Sequence, residues 1–404
     1  RRRDRAMRHW RAALGVTMVM QVTVAFLSSA IAVTAPLLTA SAGVPVERIG
    51  YYSTLSTLGS MWYLMSCGPL LPAVGPVRLL QFGVGLGAAA IVLAIGADWT
   101  VVMLSAFLFG LGYGPVPPAS SDILARHTPG ARRGLAFSIK QAGVPVGHAI
   151  GGLTLPVVAV LYGWRAALAL AAGMGLLAVL AITPWRETFD AARARARIPL
   201  ARIFAPANLL RPFRTVRAVA GLPWITYAGF CFACGQSCLF SFYVAYLTAD
   251  LGLAVTAAGV AYASVQVAGA FGRVLAGWIA DAITAIVTLS ILGVTGAAAL
   301  ALVAALMADL PTPLLLAASA LIGVSAVSWN GVYLAEVARL SPEGQVGETT
   351  SASTFFSFIG YAVGPALFSI LVEATGSYRL VYLLFAALPA SAVLALLRLR
   401  RAPR

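Results

Sequence analysis

Among its 404 residues the chain has 27 arginines but a single lysine, Lys140, and three histidines. Lys140 and His148 stand in "FSIKQAGVPVGHAIGG", residues 137–152, an otherwise apolar stretch. Arg273 stands in the similarly apolar "GRVLAGWIAD". Charged groups inside apolar segments are costly, which makes each a functional candidate. The three side chains offer different chemistry. A guanidinium grips a carboxylate with a planar fork, an ammonium acts as a point charge, and an imidazole takes up and releases a proton near neutral pH. None of the thirteen acidic residues reaches the middle of an apolar run. Asp122 and Glu336 lie near the cytoplasmic ends of the fourth and tenth runs, at nearly equivalent positions of the two halves. Since a cationic substrate usually meets a buried acid, this pattern points to an anionic one.

Each of these residues also has a plainer role open to it. Lys140, ~9 Å inside its helix, could snorkel its ammonium to the interface or pair with Asp281. Arg273, ~12 Å inside its helix, could belong to a gate. His148 could be a neutral packing histidine bonded to a hydroxyl. Uncharged polar groups complete a candidate pocket: Gln21, Gln141, Gln236, Gln266, Trp329 and Asn330. Gln141 and His148 are seven residues apart and fall within about 20° of each other on a helix. Gln266 and Arg273 share that spacing. Tyr113 and Tyr361 are weaker candidates, and any of the glutamines could instead join helices by hydrogen bonds.

The elements that must hold these groups are membrane spans. Hydrophobic residues make up 60% of the chain and charged ones 10%, far from the roughly 25% charged of a soluble domain. Twelve apolar runs, from 10–35 to 377–397, recur along the sequence, most of them long enough to cross a ~30 Å hydrocarbon core as helices. The net charge of +15 is distributed by side: 23 arginines fall in the termini and alternate loops, against three in the opposite loops. That bias places both termini in the cytoplasm and accounts for the charge by topology rather than by nucleic-acid binding. The basic start followed by a full-length span reads as a retained first helix rather than a cleaved signal. The arginine-rich stretch 185–219 reads as a cytoplasmic linker between an N-terminal half, 1–184, and a C-terminal half, 220–404. Part of the linker could form a basic amphipathic helix on anionic headgroups. Cys231, Cys234 and Cys238 in "CFACGQSC" share a helix face within a span and read as packing residues. No metal site or cofactor is expected, and no Walker-type phosphate loop is present.

The halves repeat. "ARHTPGARRG" (125–134) aligns with "ARLSPEGQVG" (338–347), and without a gap Gly110, Gly134, Gly147 and Gly151 fall on Gly323, Gly347, Gly360 and Gly364. Gly143, Gly147 and Gly151 form a stripe that should let a neighbouring helix approach closely. After the second span, Gly68, Leu70, Gly75 and Arg78 keep the frame of a G-x-L-x-D-x-x-G-R-[KR] motif, with Pro72 at the acidic position. The second copy keeps Gly277 and Asp281. On these motifs and the duplicated halves the chain resembles the major facilitator superfamily over essentially its whole length. The resemblance implies an all-α membrane protein of twelve transmembrane helices in two pseudo-symmetric six-helix halves. It also implies a gating role for Gly68, Gly75, Arg78, Gly277 and Asp281. The frame around Arg273 is similar to the monocarboxylate and oxalate/formate branches, where such an arginine meets the substrate carboxylate. His148 replaces the proline of the G-x-x-x-G-P-x-x-G-G motif of the antiporter branch.

The resulting expectation is a secondary transporter, not an enzyme, in a bacterial inner (plasma) membrane. It would be a monomer that imports a small organic anion by alternating access. The coupling ion would be H+, with His148, Asp122 or Glu336 as carriers. Proton-driven efflux of amphipathic drug-like compounds is the alternative.

Overall fold

A computed structural model describes residues 2–66, 70–96, 98–128, 133–191, 207–342 and 345–401. The apolar runs become helices α1 (Arg2–Ser41), α2 (Ile49–Ser66), α3 (Leu70–Val74), α4 (Pro76–Ala94), α5 (Trp99–Tyr113), α6 (Val116–His127), α7 (Arg133–Tyr162) and α8 (Trp164–Ala181). A short helix α9 (Arg186–Phe189) and the basic helix α10 (Ala207–Ala218) follow. The remaining passages are α11 (Leu222–Ala249), α12 (Val255–Ala282), α13 (Ala285–Ala305), α14 (Thr312–Ala326), α15 (Asn330–Leu340), α16 (Val346–Thr375) and α17 (Tyr378–Arg401). Among the described residues no strand occurs. Among the described residues eleven stretches are helical, long and apolar enough to cross a membrane, and α2 with α3 occupies the run expected as the second span. Helices are what the bilayer demands, because they satisfy every backbone polar group within one segment.

Two compact units form: Arg1–Ala42 with Leu58–Ala205, and Gly43–Thr57 with Pro206–Arg404. Helix starts carry local signals. Asp98 accepts from the Val101 amide at 3.1 Å at the start of α5, and Thr284 accepts from Val287 at 3.3 Å at the start of α13. Both are N-caps that supply an acceptor to an otherwise orphan amide.

The passages expected as the fourth and tenth spans are each broken. α5 gives way to α6 across Gly114 and Pro115, and α14 gives way to α15 across 327–329. The breaks lie at the same place in the two halves, since the register that aligns Gly110 with Gly323 sets Gly114 on Val327.

The glycine stripe does what its spacing predicts. A Cβ on Gly147 of α7 would strike the Val22 carbonyl of α1 and come within 2.7 Å of Ala25 Cβ. A Cβ on the aligned Gly360 of α16 would strike the Phe230 carbonyl of α11 and come within 3.1 Å of Ala233 Cβ. One turn on, Gly151 faces Ser29 and Gly364 faces Ser237. The sequence repeat is thus a repeat of backbone-to-backbone helix contacts, the close approach that small residues permit in lipid.

Candidate functional site

In the first unit, α7 carries the buried polar groups. His148 is buried, and its Nε2 lies 2.8 Å from the hydroxyl of Ser28 on α1. Gln21, also buried on α1, packs its Cβ and Cγ against Gly143. Lys140 is 3% exposed. Its ammonium donates to the Pro117 carbonyl and the Ser121 hydroxyl of α6, both at 3.3 Å. Pro117 stands in the first turn of α6, beside the break in the fourth span. Lys140 therefore does not snorkel. It is held inside the unit by neutral acceptors, and among the described residues no carboxylate neutralises it. Gln141, expected on the same side as His148, is exposed. The reason is cover: α1 lies over His148 through Ser28, and Gln141 is left bare.

In the second unit the polar groups converge at the broken tenth span. The Oε1 of Gln236 on α11 accepts from Trp329 Nε1 at 2.8 Å, from Tyr361 OH at 3.2 Å and from Asn330 Nδ2 at 3.4 Å. Gln236 and Trp329 are almost wholly buried. The cluster includes both partners of the Trp329-Asn330 pair and brings in Tyr361 from α16. A turn further along α15, Tyr333 OH lies 2.6 Å from the Ser353 hydroxyl, which lies 2.7 Å from that of Thr226. Sequence reading missed this hydroxyl chain, since serines and threonines at helical spacing carry no distinguishing signal.

Arg273 of α12 lies at the same break, where its Nε donates to the carbonyl of Val327 at 3.2 Å. Val327 is the residue that ends α14, so a cation sits on the negative end of a helix dipole. Gln266, two turns away on α12, is fully buried.

The two acidic proton-carrier candidates are each paired with an arginine. Asp122 meets Arg126 at 2.9 Å, one turn apart on α6. Glu336, buried, meets Arg339 at 2.6 Å on α15, with a second hydrogen bond of 2.9 Å that makes the contact bidentate. Arg126 and Arg339 are repeat equivalents under the alignment of 125–134 with 338–347.

Of the gating motif, Gly68 lies outside the described residues. Gly75 precedes α4 with φ of +97°, a backbone conformation open to glycine. The carboxylate of Asp190 accepts from the Val77 amide at 2.7 Å and the Arg78 amide at 3.3 Å, and from the Arg78 guanidinium at 3.0 Å. A Cβ on Gly75 would stand 2.6 Å from that carboxyl carbon. Asp190 thus supplies an acid to the start of α4 from the segment after the sixth span, where the sequence suggested only a loop residue. Arg186 of the same segment donates to Gln81, which itself donates to the Val179 carbonyl at 2.8 Å. In the second copy Asp281 is exposed, and Gly277 has open space around it. Cys231, Cys234 and Cys238 are buried and unbridged.

Repeated helical units long and apolar enough to cross a membrane, with polar groups gathered at interrupted spans, follow the plan of a membrane transporter. The sequence matches the Major Facilitator Superfamily profile over residues 17–355 and again over 228–404, and the chain belongs to that superfamily. It is 27% identical to an uncharacterised MFS-type transporter of Mycobacterium tuberculosis, over 89% of this chain and 78% of that one. It is 30% identical to the fosmidomycin resistance protein of Escherichia coli over 74% and 70% of the two chains. The hexuronate transporter of Bacillus subtilis is 22% identical over 89% and 81%. The fold is that of the nucleoside transporter NupG, with a TM-score of 0.76 at 14% identity and coverage of 96% and 99%. The protein is a transporter, not an enzyme.

Proposed function

We propose that this transporter moves a small organic anion, a carboxylate, by alternating access coupled to proton symport into the cell. The observation that carries the reading is Lys140: an ammonium 3% exposed whose hydrogen-bond partners are a carbonyl and a hydroxyl. A buried charge without a counter-ion is costly, and a transported anion would relieve that cost. The acids that could attract a cation are committed elsewhere, Asp122 and Glu336 to arginines and Asp190 to the start of α4. The hexuronate transporter among the relatives favours the same class.

In this reading Lys140, His148, Gln21 and Gln141 serve the substrate from the first unit. In the second, Gln236, Trp329, Asn330, Gln266 and Arg273 do so. His148, against Ser28, is the first choice for the coupling proton, ahead of Asp122 and Glu336. In this reading the protein works as a monomer in a bacterial plasma membrane, and its arginine distribution supports placing both termini in the cytoplasm.

The test is uptake into proteoliposomes under an inward proton gradient, with a panel of mono- and dicarboxylates and uronates as substrates and competitors. Carboxylate uptake that Lys140→Gln lowers at least tenfold supports the reading; absence of uptake and of competition by every anion overturns it. A second reading, efflux of drug-like compounds by proton antiport, is favoured by the similarity to the fosmidomycin resistance protein. It predicts gradient-driven extrusion of such compounds that carboxylates leave unchanged.

A further inference from the structure

A groove of about 320 Å³ runs between α13 and α17 on the outside of the second unit. Its walls are mostly aliphatic, including Ile286, Ile291, Val294 and Leu397, with Ser290 and Thr295 as polar interruptions. Ile291, Val294 and Leu397 are 46%, 59% and 38% exposed, so the groove opens sideways. On a membrane-spanning helix that direction faces lipid. The lining on α13 extends from Ile286 to Thr295, ~14 Å at about 1.5 Å per residue. One leaflet of a ~30 Å hydrocarbon core is about as deep.

The groove is charged at one end only. Arg400, in the last turn of α17, belongs to the lining. It is exposed and makes no ion pair or hydrogen bond among the described residues. The neighbouring Arg398 is otherwise engaged, with its guanidinium carbon 5.1 Å from the centre of the Trp224 ring. Among the described residues Arg400 is thus an uncommitted cation, at the end of an apolar channel one leaflet deep.

We infer that this groove is a binding site for an anionic glycerophospholipid, one acyl chain lying between α13 and α17 and the phosphate on Arg400. Neither half of the site suffices alone. Aliphatic walls would accept any lipid tail, and a surface arginine any anion. Their spacing selects a molecule with both, and the single charge selects an anionic headgroup over a zwitterionic one. The site does not depend on the identity of the transported substrate.

Native mass spectrometry of the delipidated full chain, titrated with phosphatidylglycerol or phosphatidylcholine of identical acyl chains, tests this. Phosphatidylglycerol should bind with about fivefold preference, the effect of one basic side chain at a membrane surface. Arg400→Gln should abolish the preference while leaving weak binding of both lipids. Val294→Trp, which obstructs the groove without touching the charge, should reduce the binding of both. Equal binding of the two lipids by the unmodified chain overturns the proposal. So does a preference that persists in Arg400→Gln, or a lipid count unchanged in Val294→Trp. A dimer that Val294→Trp dissociates overturns it too, by assigning the groove to a second copy of the chain.

Discussion

Arg273 donates through Nε to the carbonyl of Val327, 3.2 Å away, and so ties α12 to the end of α14 where the tenth span is interrupted. Charge alone satisfies a helix dipole, but an Nε–H bond requires a guanidinium. Arg273→Lys should therefore keep part of the stabilisation, and Arg273→Gln should lose about 1–2 kcal/mol of it. Thermal unfolding in detergent, run beside substrate titration, checks this. A variant that unfolds earlier with an unchanged KM assigns the arginine to holding the break, whereas a raised KM with unchanged stability assigns it to the substrate.

Gln236 is the shared acceptor for Trp329, Asn330 and Tyr361. Gln236→Leu preserves bulk and strands those donors, so stability should fall by about 1–2 kcal/mol, bearing in mind that interhelical bonds in lipid average nearer 0.6. Gln236→Glu keeps an acceptor for those donors but buries a carboxyl, so it should unfold between the leucine variant and the unmodified protein. Tryptophan fluorescence gives a second readout, because the leucine variant frees the buried indole N–H.

Asp190 holds the start of α4 through two backbone amides and the Arg78 guanidinium. Asp190→Ala should cost about 2–3 kcal/mol, the scale of a lost hydrogen-bonded charge. Asp190→Asn, which retains one acceptor, should cost less. Urea or thermal unfolding ranks the two. Arg78→Gln removes only the side-chain partner and should be the mildest of the three.

Gly147 admits no Cβ without a shift of α1 or α7, whereas Gly173 on α8 has no atom within 4 Å of where a Cβ would lie. Gly147→Leu should abolish folded protein in size-exclusion profiles, and Gly173→Ala should be silent. Gly360→Leu should reproduce the Gly147 result in the second unit, since it faces the Phe230 carbonyl in the same way.

The spans and the repeat could be read from the sequence because lipid forces a long apolar run into a helix, and glycine spacing survives duplication. The interruptions could not. No proline or glycine stands within 327–329, and only the first break had such a local signal, the prolines at 115, 117 and 118. Of the polar cluster on Gln236, the residues Gln236, Trp329 and Asn330 could be singled out because a polar group in a span stands out. Ser28 could not, because serine is common in packed helices. Asp122 and Glu336 were read as proton carriers, yet Arg126 and Arg339 follow them at the spacing that places partners on one helix face. Asp190 was illegible for a different reason: its partners are 112 and 113 residues away in sequence, and no periodicity reports such a contact.

The glycine contacts also constrain how the molecule can move. Where the backbones of α1 and α7 touch, and those of α11 and α16, no side chain lies between to swing aside and act as a bearing. Each pair is a welded strut. Bending during a transport cycle must then be taken up where a span is interrupted, and Gly114–Pro115 and residues 327–329 are such joints. A cation from a neighbouring helix sits beside each, Lys140 on Pro117 and Arg273 on Val327. An anion that drew either cation away would loosen the hinge next to it, so ligand and lever would be connected through a single hydrogen bond.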